Sequence, residues 1–88
     1  MTNWKKQKEL VLMCAYYIVR ERYASYKGMK RSPDARRLYA LMRRIGDHIN
    51  AETLYYIRAE YWHPMAFNPS HGEAWDKANE ILRENAYY

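Results

Sequence analysis

Apolar residues in this chain recur every three or four positions, and nowhere do they alternate one-in-two as a half-buried strand requires. At about 100° of rotation per residue that spacing stacks them on one side of a helix. The chain is therefore expected to be all-α, a compact three- to four-helix array in a single domain spanning 1–88. Its 88 residues suffice for one modest core, burying about 60–65% of the surface the unfolded chain exposes. That length excludes a multi-domain enzyme, a (β/α)₈ barrel and a two-half dinucleotide fold. Apolar and charged fractions of 49% and 28% are those of a globular chain, not a disordered one.

Local signals place helices at approximately 3–27, 33–46, 51–62 and 71–86. The first should begin after Thr2 or Asn3 as N-cap and stop at Gly28, with Val11, Cys14, Ala15 and Ile18 toward the core. Its middle is apolar nearly all round, as in a helix buried on more than one side. Ser32-Pro33-Asp34 opens the second: a cap, a proline at the first helical position, and an acid at the positive end of the dipole. Leu38, Leu41, Met42 and Ile45 form its stripe, and Gly46 ends it unless it runs on to Ile49. Asn50 caps the third, which carries Leu54, Ile57 and Tyr61 on one side and stops before Pro64. Ser70 and Glu73 have capping-box spacing for the fourth. There Ala74, Trp75, Ala78, Ile81 and Leu82 face inward, while Glu73, Asp76, Lys77, Glu80, Arg83 and Glu84 face water.

Cys14 is the only cysteine, so the chain can form no internal disulfide, and a reducing cytoplasm is the expected setting. The longest apolar run, Leu10 to Val19, is ten residues against the roughly 20 that span a bilayer, so no membrane role is expected. Lys5, Lys6 and Lys8 precede that run as in a secretory leader. No Ala-x-Ala-like site follows, and the run passes straight into Arg20-Glu21-Arg22, so a core helix is expected.

Charge is the least ordinary property. The net charge is +5, but residues 1–50 hold 12 Lys/Arg against 4 Asp/Glu, whereas residues 51–88 hold 3 against 6. On the second helix, with Arg36 set at zero, Arg43 falls at about 340°, Arg44 at about 80° and Arg37 at about 100°. All four lie opposite the apolar stripe, with the small Ala40 among them and Lys30 and Arg31 just before the helix. A solvated helix face usually mixes signs, and here Asp47 is the only acid that can fall in the arc, and only if the helix passes Gly46. Arginine's planar fork suits phosphate and carboxylate oxygens, so these six residues are candidate contacts for an anionic partner.

Ten tyrosines and three tryptophans stand against one phenylalanine. On the first helix Tyr16, Arg20, Tyr23 and Lys27 share a narrow arc, a pattern that serves either base stacking or a packed protein interface. Arg58 lies among Leu54, Tyr55, Tyr61 and Trp62, where a snorkelling stem or a cation held for an anion would account for it. In the 63–72 loop Met65 and Phe67 are a candidate docking knob, or a lid on the core.

Catalytic and metal patterns are thin. His48, His63 and His71 have no zinc-hydrolase spacing, and Glu60/His63 is a single E-x-x-H step where a di-iron bundle needs two. Ser70 and His71 are adjacent, so they do not face each other as a nucleophile and base must. The three glycines make no phosphate loop. No cofactor, no metal and no catalysis are expected. The leading expectation is a binding protein engaging RNA or DNA. The alternative is an inhibitor or adaptor docking on an acidic protein surface of a larger, nucleic-acid-handling machine. Pairing of the basic half with the acidic half of another copy is a third possibility.

Overall fold

The computed structural model describes residues 2–64 and 69–85. Among them are four α-helices and no strand: α1 Glu9–Ala24, α2 Pro33–Gly46, α3 Ala51–Arg58 and α4 Gly72–Glu84. Two 3₁₀ turns, Trp4–Lys6 and Pro69–His71, precede α1 and α4. No helix of the described residues is long and apolar enough to cross a membrane.

α1 is the central element. It packs chiefly on α2 and α4 and more lightly on α3. This answers to its all-round apolar middle: Val11, Leu12, Cys14, Ala15, Tyr16 and Val19 are all buried, and Ile18, expected on the core face, is only half-buried. Leu38, Leu41 and Ile45 of α2 and Ala78, Ile81 and Leu82 of α4 close the core from either side. Burial pushes the Cys14 thiol up to about 11, so at neutral pH it is a small apolar group and a poor nucleophile.

Helix limits differ from the local signals where a distant side chain intervenes. α1 starts at Glu9 rather than near residue 3, because Trp4 folds back into the core. Reaching it requires the 3₁₀ turn and extended backbone at Gln7 and Lys8, so neither Thr2 nor Asn3 caps α1. Thr2 accepts instead from the Asn85 amide at 2.7 Å, tying the start of the chain to the end of α4. At its other end α1 stops at Ala24, four residues short of Gly28. The Ser25 hydroxyl takes the Arg22 carbonyl at 2.6 Å and Lys30 takes that of Tyr23, satisfying last-turn acceptors with side chains. Gly28 serves the following turn, at φ +72°.

α2 begins as its sequence implies, with Ser32 Oγ accepting from the Ala35 N–H at 3.3 Å and Pro33 in the first turn. It ends at Gly46, and Ile49 reaches the core from the turn beyond. α3 is capped by Asn50, whose Oδ1 accepts from the Glu52 N–H at 2.9 Å.

α3 stops at Arg58 instead of continuing to 62. Tyr61 N–H donates to the Tyr56 carbonyl at 2.9 Å and Glu60 N–H to that of Ile57 at 3.1 Å, the paired bonds of a Schellman ending. Glu60 takes the left-handed position usual for glycine, at φ 64°. α4 has no Ser70–Glu73 capping box. Residues 69–71 wind into the 3₁₀ turn, and His71, in helical geometry, becomes the N-cap without a side-chain cap bond. His71 is fixed there by Nδ1 at 3.0 Å from the Pro64 carbonyl and by its ring against Trp62. Met65 and Phe67 lie outside the described residues, as do residues 86–88, where α4 was expected to end.

Candidate functional site

Burying the Leu38–Leu41–Ile45 stripe of α2 against α1 turns the opposite arc outward. Arg36, Arg37, Arg43 and Arg44 are all exposed there, with exposed Ala40 between them. None of the four forms an ion pair among the described residues, whereas Arg20 pairs with Glu21 and Glu60, and Lys77 with Glu80. At 1.5 Å rise per residue, Arg36 to Arg44 covers about 12 Å of helix. The ridge has two flanks. Arg43 borders a cleft between α1, α2 and α3, whereas Arg44 borders a shallower depression with Trp4, His48 and Asn85. Arg31 is exposed but lines neither recess, while Lys30 stands at the mouth of the cleft.

That cleft, of about 610 Å³, gathers residues that sequence spacing assigned to separate helices. Tyr16, Arg20 and Tyr23 of α1 reach it, but Lys27 does not, because α1 ends before it and the shared arc ends too. Of the two readings of that arc, Tyr16 follows packing and not base stacking. It is 4% exposed, with its ring against Gly46, where a Cβ would stand 3.2 Å from Tyr16 Cε2. A side chain at Gly46 would therefore press on the Tyr16 ring, which would have to shift by a few tenths of an ångström. Burial raises the Tyr16 phenol above its ordinary value, and the positive charges of Arg58 and Arg20 oppose that rise.

Arg20 is also committed within the fold. One guanidinium nitrogen donates to the Arg58 carbonyl at 3.2 Å and to Glu60 Oε1 at 3.3 Å, and the other lies 3.7 Å from Glu21. A cation on the last carbonyls of α3 complements that end of its dipole. Tyr23 stacks at 5.4 Å on Tyr39 of α2, and Lys30 sits 3.7 Å over the Tyr23 ring. Tyr39 was not anticipated as a site residue. The available signal was its position one turn before Arg43 on the same side of the helix. Arg58 is neither buried nor snorkelled into the core: it is exposed at the cleft, its guanidinium unpaired among the described residues.

The end of α3 carries a second feature invisible to helical periodicity. Tyr55, Tyr56 and Tyr61 are all exposed and touch pairwise, with ring centroids 5.9–6.5 Å apart. Tyr61, expected on the buried stripe, is 73% exposed because the Schellman ending turns it outward. The neighbouring Trp62 and His63 pack instead on Tyr17, at 6.3 and 5.0 Å. Glu60 and His63 are therefore occupied separately, one by Arg20 and one by an aromatic ring.

Compared with known protein families, curated proteins and solved structures, the chain has no match.

Proposed function

We propose that this protein is a non-catalytic binding protein that engages a polyanion, RNA or DNA, along the outward ridge of α2. The observation that carries this reading is the set of four exposed arginines on one arc, none of them in an ion pair among the described residues. A helix that needed the charges only for solubility would lose little by pairing them, as α4 pairs Lys77 with Glu80 at 3.8 Å. Phosphates laid on the ridge would release condensed counterions, and binding would be steeply salt-dependent and weakly sequence-specific. Lys30 and Arg31, beside the N-terminus of α2, extend the same positive field.

The test is fluorescence anisotropy with labelled RNA and DNA across a salt series. Four phosphate contacts predict a log–log slope of about −3 to −4, and Arg43→Ala/Arg44→Ala should make it shallower by about 2. A salt-independent affinity, or no binding at low salt, would refute the reading.

A second reading is favoured by the Tyr55–Tyr56–Tyr61 cluster. Exposed aromatics with nearby arginine are what binding hot spots in protein interfaces use. There the protein would be an inhibitor or adaptor, with the α2 ridge meeting an acidic protein surface. In that case Tyr55→Ala should cost at least about tenfold in partner affinity, with only mild salt dependence.

A further inference from the structure

The cleft between α1, α2 and α3 joins a buried aromatic floor to an exposed, charged rim. Tyr16 is buried at its floor, and Arg20 is held there between two carboxylates and a helix-end carbonyl, so the floor is polar but locally neutralised. Lys30, Arg43 and Arg58 stand exposed along the cleft, the two guanidiniums in no ion pair among the described residues and supplied by different walls, α2 and α3. Glu21, Asp47 and Glu60 also line the space and are exposed, with Glu21 and Glu60 facing Arg20, so an anion is best placed against Arg43 and Arg58 and away from that acidic side. A ligand suited to this space has a neutral, hydrogen-bonding, planar part to place inside and a negative part to set against the two guanidiniums.

Tyr39 supplies the platform for the planar part. It is 43% exposed, and its one ring contact among the described residues is Tyr23, at 5.4 Å and tilted by 46°. Tyr23 itself has a face covered by the Lys30 ammonium, which leaves Tyr39 as the ring open to stacking. Arg43 follows Tyr39 by one turn of α2, which puts a guanidinium about 6 Å further along the same side of the helix. The volume of about 610 Å³ lies within the range of about 300–1,000 Å³ that small-ligand sites occupy.

We infer that this cleft takes one unpaired nucleotide of a single strand, its base stacked on Tyr39 and its phosphate between Arg43 and Arg58. This rests on the polyanion reading of α2, and it adds what that reading lacks: a reason to prefer single strands. The next phosphates of the strand run onto the exposed ridge. A base inside a duplex has both faces covered by its neighbours and can reach the cleft only by leaving the stack. Duplexes therefore bind through phosphates on the ridge alone, whereas single strands gain the stacking contact as well.

Anisotropy with a labelled single-stranded oligonucleotide and its duplex, at one low salt concentration, tests this directly. The full-length protein should bind the single strand about tenfold more tightly, the scale of one base–aromatic stack. Tyr39→Ala should remove that preference while changing duplex affinity less than about twofold, and Tyr39→Phe, which keeps the ring, should retain it. Arg37→Ala/Arg44→Ala, on the far flank of the ridge, should weaken both ligands alike. Equal affinity for both forms in the unaltered protein overturns the cleft assignment and leaves the ridge standing; binding to neither overturns both. If a nucleoside monophosphate binds with an affinity untouched by Arg37→Ala/Arg44→Ala, and single strands show no advantage over duplex, the strand is overturned in favour of a free nucleotide.

Discussion

α2 and α4 solve the same packing problem and present opposite surfaces. They run for 14 and 13 residues, and each lays an apolar stripe against α1: Leu38, Leu41 and Ile45 in one, Ala78, Ile81 and Leu82 in the other. The outer face of α4 alternates acids and bases and pairs Lys77 with Glu80. The outer face of α2 carries four arginines that pair with nothing among the described residues. Stability constrains only the inner stripe, since exposed charges contribute at most about 1 kcal/mol either way. The unpaired arginine face of α2 is thus unexplained by folding, which is why function is sought there and not on α4.

The comparison breaks most readily at the core. Leu41→Ala and Leu82→Ala remove side chains that are almost fully buried, and each should cost about 3 kcal/mol in urea unfolding. If only one does, the two helices are not equivalent supports of α1. Alkaline pH probes the helix they share. The Cys14 thiol ionises at its ordinary 9.0 when unfolded and near about 11 when folded. Its contribution is therefore intact below pH 9 and lost as pH rises toward 11, on the order of 2–3 kcal/mol. The raised phenols of Tyr16 and Tyr17 act in the same direction. Melting curves of Cys14→Ala should start lower at pH 7, by about 1 kcal/mol for the small cavity. They should then fall less between pH 9 and 11 than those of the unaltered protein, and an equal fall would show that the thiol is not the group responsible.

The helix starts sharpen the contrast. α2 is capped by Ser32 and α4 has no side-chain cap, so Ser32→Ala should cost about 1 kcal/mol by chemical denaturation. A loss near zero would mean that Pro33 and core packing alone define that start. The smallest effect belongs to the surface of α4. Lys77→Ala should change stability by only about 0.3 kcal/mol. Its affinity for nucleic acid should stay within about twofold of the unaltered protein, against a drop of more than about tenfold for Arg43→Ala/Arg44→Ala. Matching losses from the two helices would erase the distinction between their faces.

Legibility followed the range of the interactions. α2 was readable almost to the residue, because Ser32, Pro33 and the Leu/Ile stripe act within a few positions of one another. The inward stripe of α4 and the cap of α3 at Asn50 were readable for the same reason. The start of α1 was not, since Trp4 breaks the helix to reach a core that exists only after folding. Nor was the end of α3: the bonds that hold Glu60 and the Arg58 carbonyl come from Arg20, 38–40 residues earlier. The candidate site divides in the same way. The arginine arc is a property of one helix, whereas the cleft needs Tyr23 and Arg20 from α1, Tyr39 and Arg43 from α2, and Arg58 from α3.

The sequence by itself determined the helical class, the face each of α2 and α4 buries, and the arginine-rich surface left outside. Those follow from side-chain spacing and local capping, which need no partner element. Only the tertiary structure decided that Tyr16 is buried under Gly46, that Arg20 is consumed in closing α3, and that Tyr39, Arg43 and Arg58 border one space. The physical reason is that helical periodicity records rotation about a single axis. It carries no information about which axes meet, and a cleft exists only where several do.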